Sequence, residues 1–498
     1  DEEVLKNFTD VIDYELELDP IKAQEFLTKG NHAKSISAVN INADPAYSKF
    51  TPYQYIYGKY DGKIDPDLYR KHPSQQNAQF KESIRLKMVY YMLEAATRFG
   101  GCNISFSDLF RNEHLLALYP MHHLVYGNIL MKQMLSRDTY PWTIPHDSLK
   151  EYFGEKVALY YCFLGNYTKM LIYPSIIGFI CQMIVWGTGN PSSPIMPFFA
   201  IFVCLWSICM LEYWKREEQL TAMRWGMMNY ENQEPDRPEF EGTLISSYID
   251  GQPMMFFPKK DARDRNRYSV AIVGAMVMLV IGVVTSIYMI RFALQSSSAA
   301  PYSSLVASLL NTIQITIFNI IYNSVATKLT DYENHRTDTN YEDSMIVKLF
   351  AFQFVNSYAS FFFLAFIAAH LGKPPTDDDA AADNTGQCGA ATCMTPLGTN
   401  LAIIFGTKIT LTSALEVILP YKAYKDKLKA ETEGATKTLS RPEKDYMLLP
   451  YDIMAESIKD YADTAIQFGF MTLFITALPI ACFFSFLSCI LKVKVNGW

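Results

Sequence analysis

The chain has 498 residues, half of them hydrophobic and 19% charged, with a formal net charge of −7. That balance offers no basic surface for nucleic acid. The apolar residues are gathered into long blocks instead of recurring at helix or strand period, which excludes an ordinary soluble fold and reads as an all-α polytopic membrane protein.

Residues 1–150 contain no apolar span and no signal-peptide pattern, so they read as part of a soluble domain with α+β character. The chain begins at Asp1 without a methionine and reads as a fragment or a chain with parts missing. Within this region, apolar residues at helical spacing over 80–99, ended by Gly100 and Gly101, predict a helix. The membrane domain is read over 151–498, with apolar blocks at 167–188, 194–212, 268–293, 302–326, 346–370 and 396–420. Each is long enough to cross a hydrocarbon core of about 30 Å at about 1.5 Å per residue. The last apolar block, 464–491, is too long for one ordinary helix and contains Pro479, so it predicts a hairpin of helices near 456–478 and 479–497. That makes about eight membrane helices.

The connections 213–267 and 421–445 are rich in lysine and arginine, which marks them as cytosolic and places the first 166 residues in the cytosol. The loop 371–395 carries Asp377, Asp378, Asp379 and Asp383, then Cys388 and Cys393. It is expected to face outside or a lumen, where that cysteine pair has the conditions to form a disulfide. The charged link 330–343, "TDYENHRTDTNYED", reads as a solvated, mutually paired turn. A phosphate-binding glycine loop, zinc spacing and a nucleophile elbow are all missing from the sequence, so an enzyme has little support.

Charge inside the last block needs a reason. Glu456, Asp460 and Asp463 are spaced i, i+4, i+7 and share one helix face. Counted from Pro479, Asp463 and Lys492 each descend about 20–24 Å at about 1.5 Å per residue, so they return to a similar depth. Glu416, near the cytosolic end of the sixth span, belongs there too. Isolated ions are costly in that slab and must be paired or bound to a cation. Carboxylate oxygens suit calcium better than a transition metal.

Several stretches resemble the anoctamin family of calcium-activated chloride channels and lipid scramblases: "YFGEKVALYYCFLGNYT" (152–168), "LEYWKREEQLTAMRWG" (211–226), "IYNSVATKLTDYENHRTDTNYEDSMIVKLFAFQFVNSYASFFFLAF" (321–366), "IIFGTKITLTSALEVILP" (403–420) and "DYADTAIQFGFMTLFITALPIACFFSFL" (460–487). The resemblance covers roughly 80–498. It implies a homodimer in a plasma or internal membrane, acting on membrane phospholipids or ions. It also implies ten membrane helices, of which this chain would carry about eight; the missing pair builds much of the family's dimer interface.

The resemblance further implies a calcium site between the sixth, seventh and eighth helices. Matched to the family motif, Thr412 and Glu416 fall on the sixth, Asp460 and Asp463 on the seventh, and Lys492 and Asn496 on the eighth, with Glu456 as a possible extra ligand. A lysine where the family has a glutamate implies an internal counter-ion and a weakened or lost calcium response. The alternative is that Lys492 snorkels to the headgroups beside Lys494. Gly406 matches the family's hinge glycine; close helix packing is the alternative.

For a groove formed by helices 3–7, as the resemblance implies, Thr312, Thr316, Asn319 and Asn323 make one polar stripe on the fourth span, and Gln353 and Asn356 face it from the fifth. Such a stripe suits a lipid headgroup pathway, with helix–helix hydrogen bonding as the alternative. An anion channel would want fixed positive charge, for which Lys348 and Lys408 are candidates. Lipid scrambling is the leading expectation; an ion channel and a non-transporting scaffold or tether remain open.

Overall fold

The structure is a computed structural model. It describes residues 15–18, 56–60, 68–69, 80, 82–115, 117–136, 138–189, 193–227, 234, 236–237, 239–246, 251, 253–295, 302–368, 394–432, 439–449 and 452–497. Cys388 and Cys393 lie outside the described residues, as does the side chain of Thr412.

In the N-terminal region β1 (Glu15–Leu18) pairs antiparallel with β2 (Ile56–Lys59). Four helices follow: α1 (Glu82–Glu94), α2 (Phe106–Arg111), α3 (Leu124–Leu135) and α4 (His146–Phe153). α2 is capped by Ser105, whose hydroxyl accepts from the Asp108 amide at 3.3 Å. Gly154, at φ +91, breaks α4 from the first long helix.

The long helices are α5 (Glu155–Thr188), α6 (Ile195–Arg224), α7 (Lys259–Gln295), α8 (Ser303–Glu333), α9 (Asp338–Phe362) and α10 (Met394–Thr407). A short hairpin of β3 (Thr243–Ser246) and β4 (Pro253–Phe256) stands between α6 and α7. α10 continues through a π-helical turn, Lys408–Thr412, into α11 (Ser413–Thr432). Helix α12 (Arg441–Tyr446) precedes α13 (Ile453–Leu473) and α14 (Ala481–Asn496).

Among the described residues, six helical stretches are long and apolar enough to cross a membrane, the sixth being α10 continued into α11. Their outward faces carry Phe198, Met278 and Ile320, exposed at 74%, 67% and 65%. A soluble protein would bury most such side chains, whereas a membrane-spanning helix presents them to hydrocarbon. α13 and α14 fall short of that test because α13 is charged at its start and α14 is 16 residues, about 24 Å. They form a hairpin turned over 474–480.

The core lies where this hairpin packs on α5. A Cβ at Gly178 would stand 2.4 Å from the Pro479 carbonyl oxygen, so only glycine lets α5 approach the turn so closely. Nearby, the Ser175 hydroxyl donates to Cys482 O at 3.0 Å. On the other side, Tyr358 of α9 donates to Ile466 O of α13 at 2.6 Å. The hairpin is thus held between α5 and α9, with its charged ends toward the side of the basic connections.

Candidate cation site and transport pathway

Helix α13 starts at Asp452, whose carboxylate accepts from the amides of Met454 and Ala455 at 3.0 and 3.2 Å. Two turns further on, Asp460 faces α14. Lys492 Nζ lies 3.1 Å from Asp460 Oδ1 and donates to the Asp460 carbonyl oxygen at 3.2 Å. Asn496 Nδ2 donates to Asp460 Oδ2 at 3.5 Å. The ammonium also sits 5.7 Å from the centroid of the Tyr160 ring of α5, on its face. Lys494 is likewise drawn onto protein and donates to the backbone carbonyls of Met134, Ser136 and Thr139.

Lys408 joins the same cluster. Its Nζ donates to the Asp463 carbonyl oxygen at 3.0 Å, and it lies within electrostatic range of Asp463, Lys492 and Glu416. Glu416, near the start of α11, lies within range of Lys492, Asp463, Lys459 and Asp460. Glu456 is engaged elsewhere: its carboxylate is 3.1 Å from Lys459 on the same helix. Asp460, Asp463 and Glu416 are therefore offset by Lys492 and Lys408, and the Glu456–Lys459 pair at the edge of the cluster brings the Lys459 ammonium within electrostatic range of all three.

A calcium ion takes six to eight oxygens at about 2.3–2.6 Å. Here both Asp460 oxygens accept from Lys492 and Asn496. Among the described residues, no three His, Cys, Asp or Glu side chains stand close enough to share a metal. In this arrangement the residues do not fit calcium; they fit an ammonium held by carboxylate, carbonyl and ring.

Above the cluster, a Cβ on Gly406 would meet nothing within 4 Å, so no close helix contact explains the glycine there. The π-helical turn begins two residues later at Lys408. A π turn and a glycine together are a recognised place for a helix to bend.

The polar residues of α8 divide between two faces. On the face toward α9, Asn311 Nδ2 donates to Ser360 Oγ at 3.0 Å and Gln314 Nε2 to Asn356 Oδ1 at 2.7 Å. Asn356 in turn donates to Asn319 Oδ1 at 2.9 Å and Ile315 O at 3.1 Å. Thr312 and Thr316 donate to carbonyls one turn back on their own helix at 2.9 and 3.0 Å. Thr316 is exposed and Asn323 half-buried, whereas Gln353 and Asn356 are buried in α9. Ser308 of α8 also bonds Asn400 of α10, so these two helices touch.

The link after α8 is less solvated than its charges suggest. Glu333 is only 3% exposed. Its Oε2 accepts from Lys348 Nζ at 2.7 Å and Ser344 Oγ at 2.6 Å, and the His335 ring lies 2.8 Å away. Lys348 is thus an ion-pair partner across the α8–α9 turn. The sequence signal was a charge at each side of a tight helical turn, but charge alone does not report burial.

Long apolar helices with buried polar networks between them and a charged hairpin at one end define an integral multi-pass membrane protein. The chain belongs to the anoctamin family: the family model described as "Anoctamin: Calcium-activated chloride channel" matches residues 149–498. Its relatives include Anoctamin-7 of Mus musculus, 29% identical over 412 residues that cover 71% of this chain and 48% of that protein. Anoctamin-3 of Mus musculus is 25% identical over 496 residues, covering 84% and 50%. Anoctamin-4 of Bos taurus is 26% identical over 497 residues, covering 84% and 54%. The chain spans about half the length of these relatives.

Proposed function

We propose that this chain belongs to a phospholipid-moving anoctamin whose cation site is held by Lys492 instead of calcium. The observation that carries the reading is the Lys492–Asp460 pair at 3.1 Å, which puts a permanent positive charge between α13 and α14. Lys408 adds a second at Asp463. Residues 1–150 are its cytosolic region and 151–498 its membrane domain, in a homodimer. Gly406 and the π turn serve as the hinge between the cluster and the outer half of α10.

Lipid is favoured over anion because both candidate pore lysines are engaged, Lys348 with Glu333 and Lys408 with Asp463 O. An anion path needs fixed charge left free to attract the ion. Thr316 remains on the outer surface of α8, with the half-buried Asn323 two turns on, and a headgroup would pass there between polar side chain and hydrocarbon. A second reading, a non-transporting scaffold, is supported by the ammonium that occupies the place of calcium at Asp460.

The test is loss of fluorescent lipid to dithionite in liposomes holding the purified full-length protein, with and without calcium. Equal scrambling in both is expected, and Lys492→Glu should make scrambling rise at least about tenfold with calcium, since one tenfold step needs only about 1.4 kcal/mol of differential binding. Calcium-dependent scrambling by the unaltered protein would sink the ammonium reading. No scrambling in any condition would turn the reading to an ion channel, if the liposomes then carry current, or to the scaffold, if they do not.

A further inference from the structure

The end of α14 is anchored on two sides. Lys492 and Lys494 are two residues apart, about 200° around a helix, so they leave α14 in opposite directions. Lys492 goes to Asp460 on α13. Lys494 Nζ donates to three backbone carbonyls, those of Met134 at 2.9 Å, Ser136 at 2.5 Å and Thr139 at 2.8 Å. These oxygens belong to the last turn of α3 and the loop just beyond it, where helix carbonyls lack intrahelical partners and favour a cation.

This segment and the turn that follows it, Pro141–Thr143, are wedged against the membrane helices. A Cβ at Gly165 of α5 would lie 2.5 Å from Pro141 O, and one at Gly497 would lie 3.2 Å from Met134 Cβ. The Trp142 and Phe486 rings stack with centroids 6.4 Å apart. Rotation or withdrawal of the end of α14 therefore requires Lys494 to leave all three carbonyls.

We propose that Lys494 is a positioning residue: by docking α14 on the segment 134–139 of the N-terminal region, it holds Lys492 in the cation cluster and keeps divalent cations out. The proposal rests on the Lys492 reading above. Movement of α3 would then be felt at the cluster, which makes the N-terminal region a regulator of that site.

The test reads calcium binding as a calcium-induced rise in melting temperature of the full-length protein in detergent, so it does not depend on transport. Lys494→Met keeps the stem but loses the three bonds, and should raise apparent calcium affinity about tenfold. Lys494→Arg, which can still donate to the carbonyls, should behave as the unaltered protein. Lys492→Glu combined with Lys494→Met should bind calcium no better than Lys492→Glu alone, because both act through one group. Equal gains that simply multiply would overturn the proposal, as would a Lys494→Met protein that stays folded with an unchanged response.

A second route avoids the lysine altogether. Met134→Cys with Gly497→Cys should cross-link on mild oxidation, and in the Lys494→Met background the cross-link should return the response to its unaltered level. Failure of the pair to cross-link would show that the docking is wrong, even if Lys494→Met does not fold. Absence of lipid scrambling by the unaltered protein would count against the transport reading alone. A full calcium response at the unaltered site would instead count against the ammonium reading on which the proposal stands.

Discussion

Two clusters of opposite charges lie among these helices, and they are balanced differently. At the α8–α9 turn, Glu333 and Lys348 are both nearly inaccessible, and one carboxylate oxygen receives an ammonium, a hydroxyl and an imidazole. At α13–α14, Lys492 and Asp460 keep side-chain exposures of 15% and 20%, and Asp463 and Glu416 add carboxylates that Lys408 only partly offsets. The first is a lock, with charges matched one to one. The second, with the Glu456–Lys459 pair counted at its edge, has four carboxylates to three ammonium groups, so it retains an appetite for positive charge. A pair that is matched and buried resists change, whereas an under-compensated one responds to it.

The largest effect should come from breaking the lock. Lys348→Met leaves Glu333 buried without its counter-ion, a loss of the kind that costs about 3–5 kcal/mol. The detergent-solubilised protein should melt well below the unaltered one, and adding Glu333→Gln should recover much of the loss by removing the stranded charge. If Lys348→Met melted normally, the two clusters would not differ in the way described.

Next in size is the neutral ladder between the same two helices. Asn356→Leu removes donors to Asn319 and Ile315 O and the acceptor for Gln314. Bonds of this kind are worth about 0.6 kcal/mol each in a membrane, and stranded partners add to that, so a loss of about 1–2 kcal/mol is expected. Melting measured beside Lys348→Met tests the order: a larger fall for Asn356→Leu would make the amides, and not the ion pair, the principal fastening of α8 to α9.

Much of this was legible before any fold was known, and the limits fall at identifiable residues. Pro479 and the length of its block announce a hairpin, and counting about 1.5 Å per residue brings Asp463 and Lys492 to one depth. The count does not say which carboxylate takes the ammonium. Asp460 does, because the contacts of α13 with its neighbours, Tyr358 on Ile466 O and Gln467 on Ser485, turn that face of the helix to Lys492. The role of Lys408 was hidden because a π turn shifts side-chain direction within α10–α11, and period 3.6 cannot express it. Glu333 read as a solvated charge and Lys348 as a candidate charge for an ion path, because burial depends on how neighbouring helices close around the turn. The polar stripe of α8 mixes two surfaces for the same reason: Asn319 bonds α9, while Thr316 stays outside.

The smallest effect sharpens the boundary of the responsive cluster. Glu456 shares a helix face with Asp460 and Asp463 by spacing, yet its carboxylate is given to Lys459, and both side chains are more than two-fifths exposed. An exposed pair of this sort contributes about 0.3–0.5 kcal/mol. Glu456→Gln should therefore change melting by no more than that and, placed in the Lys492→Glu background, alter calcium affinity less than about twofold. Asp460→Asn in the same background should abolish most of the response, since Asp460 is the group on which Lys492 and Asn496 converge. Were Glu456→Gln to weaken calcium tenfold as well, the side chain would have to leave Lys459 and turn inward, and the cluster would extend a full turn toward the start of α13.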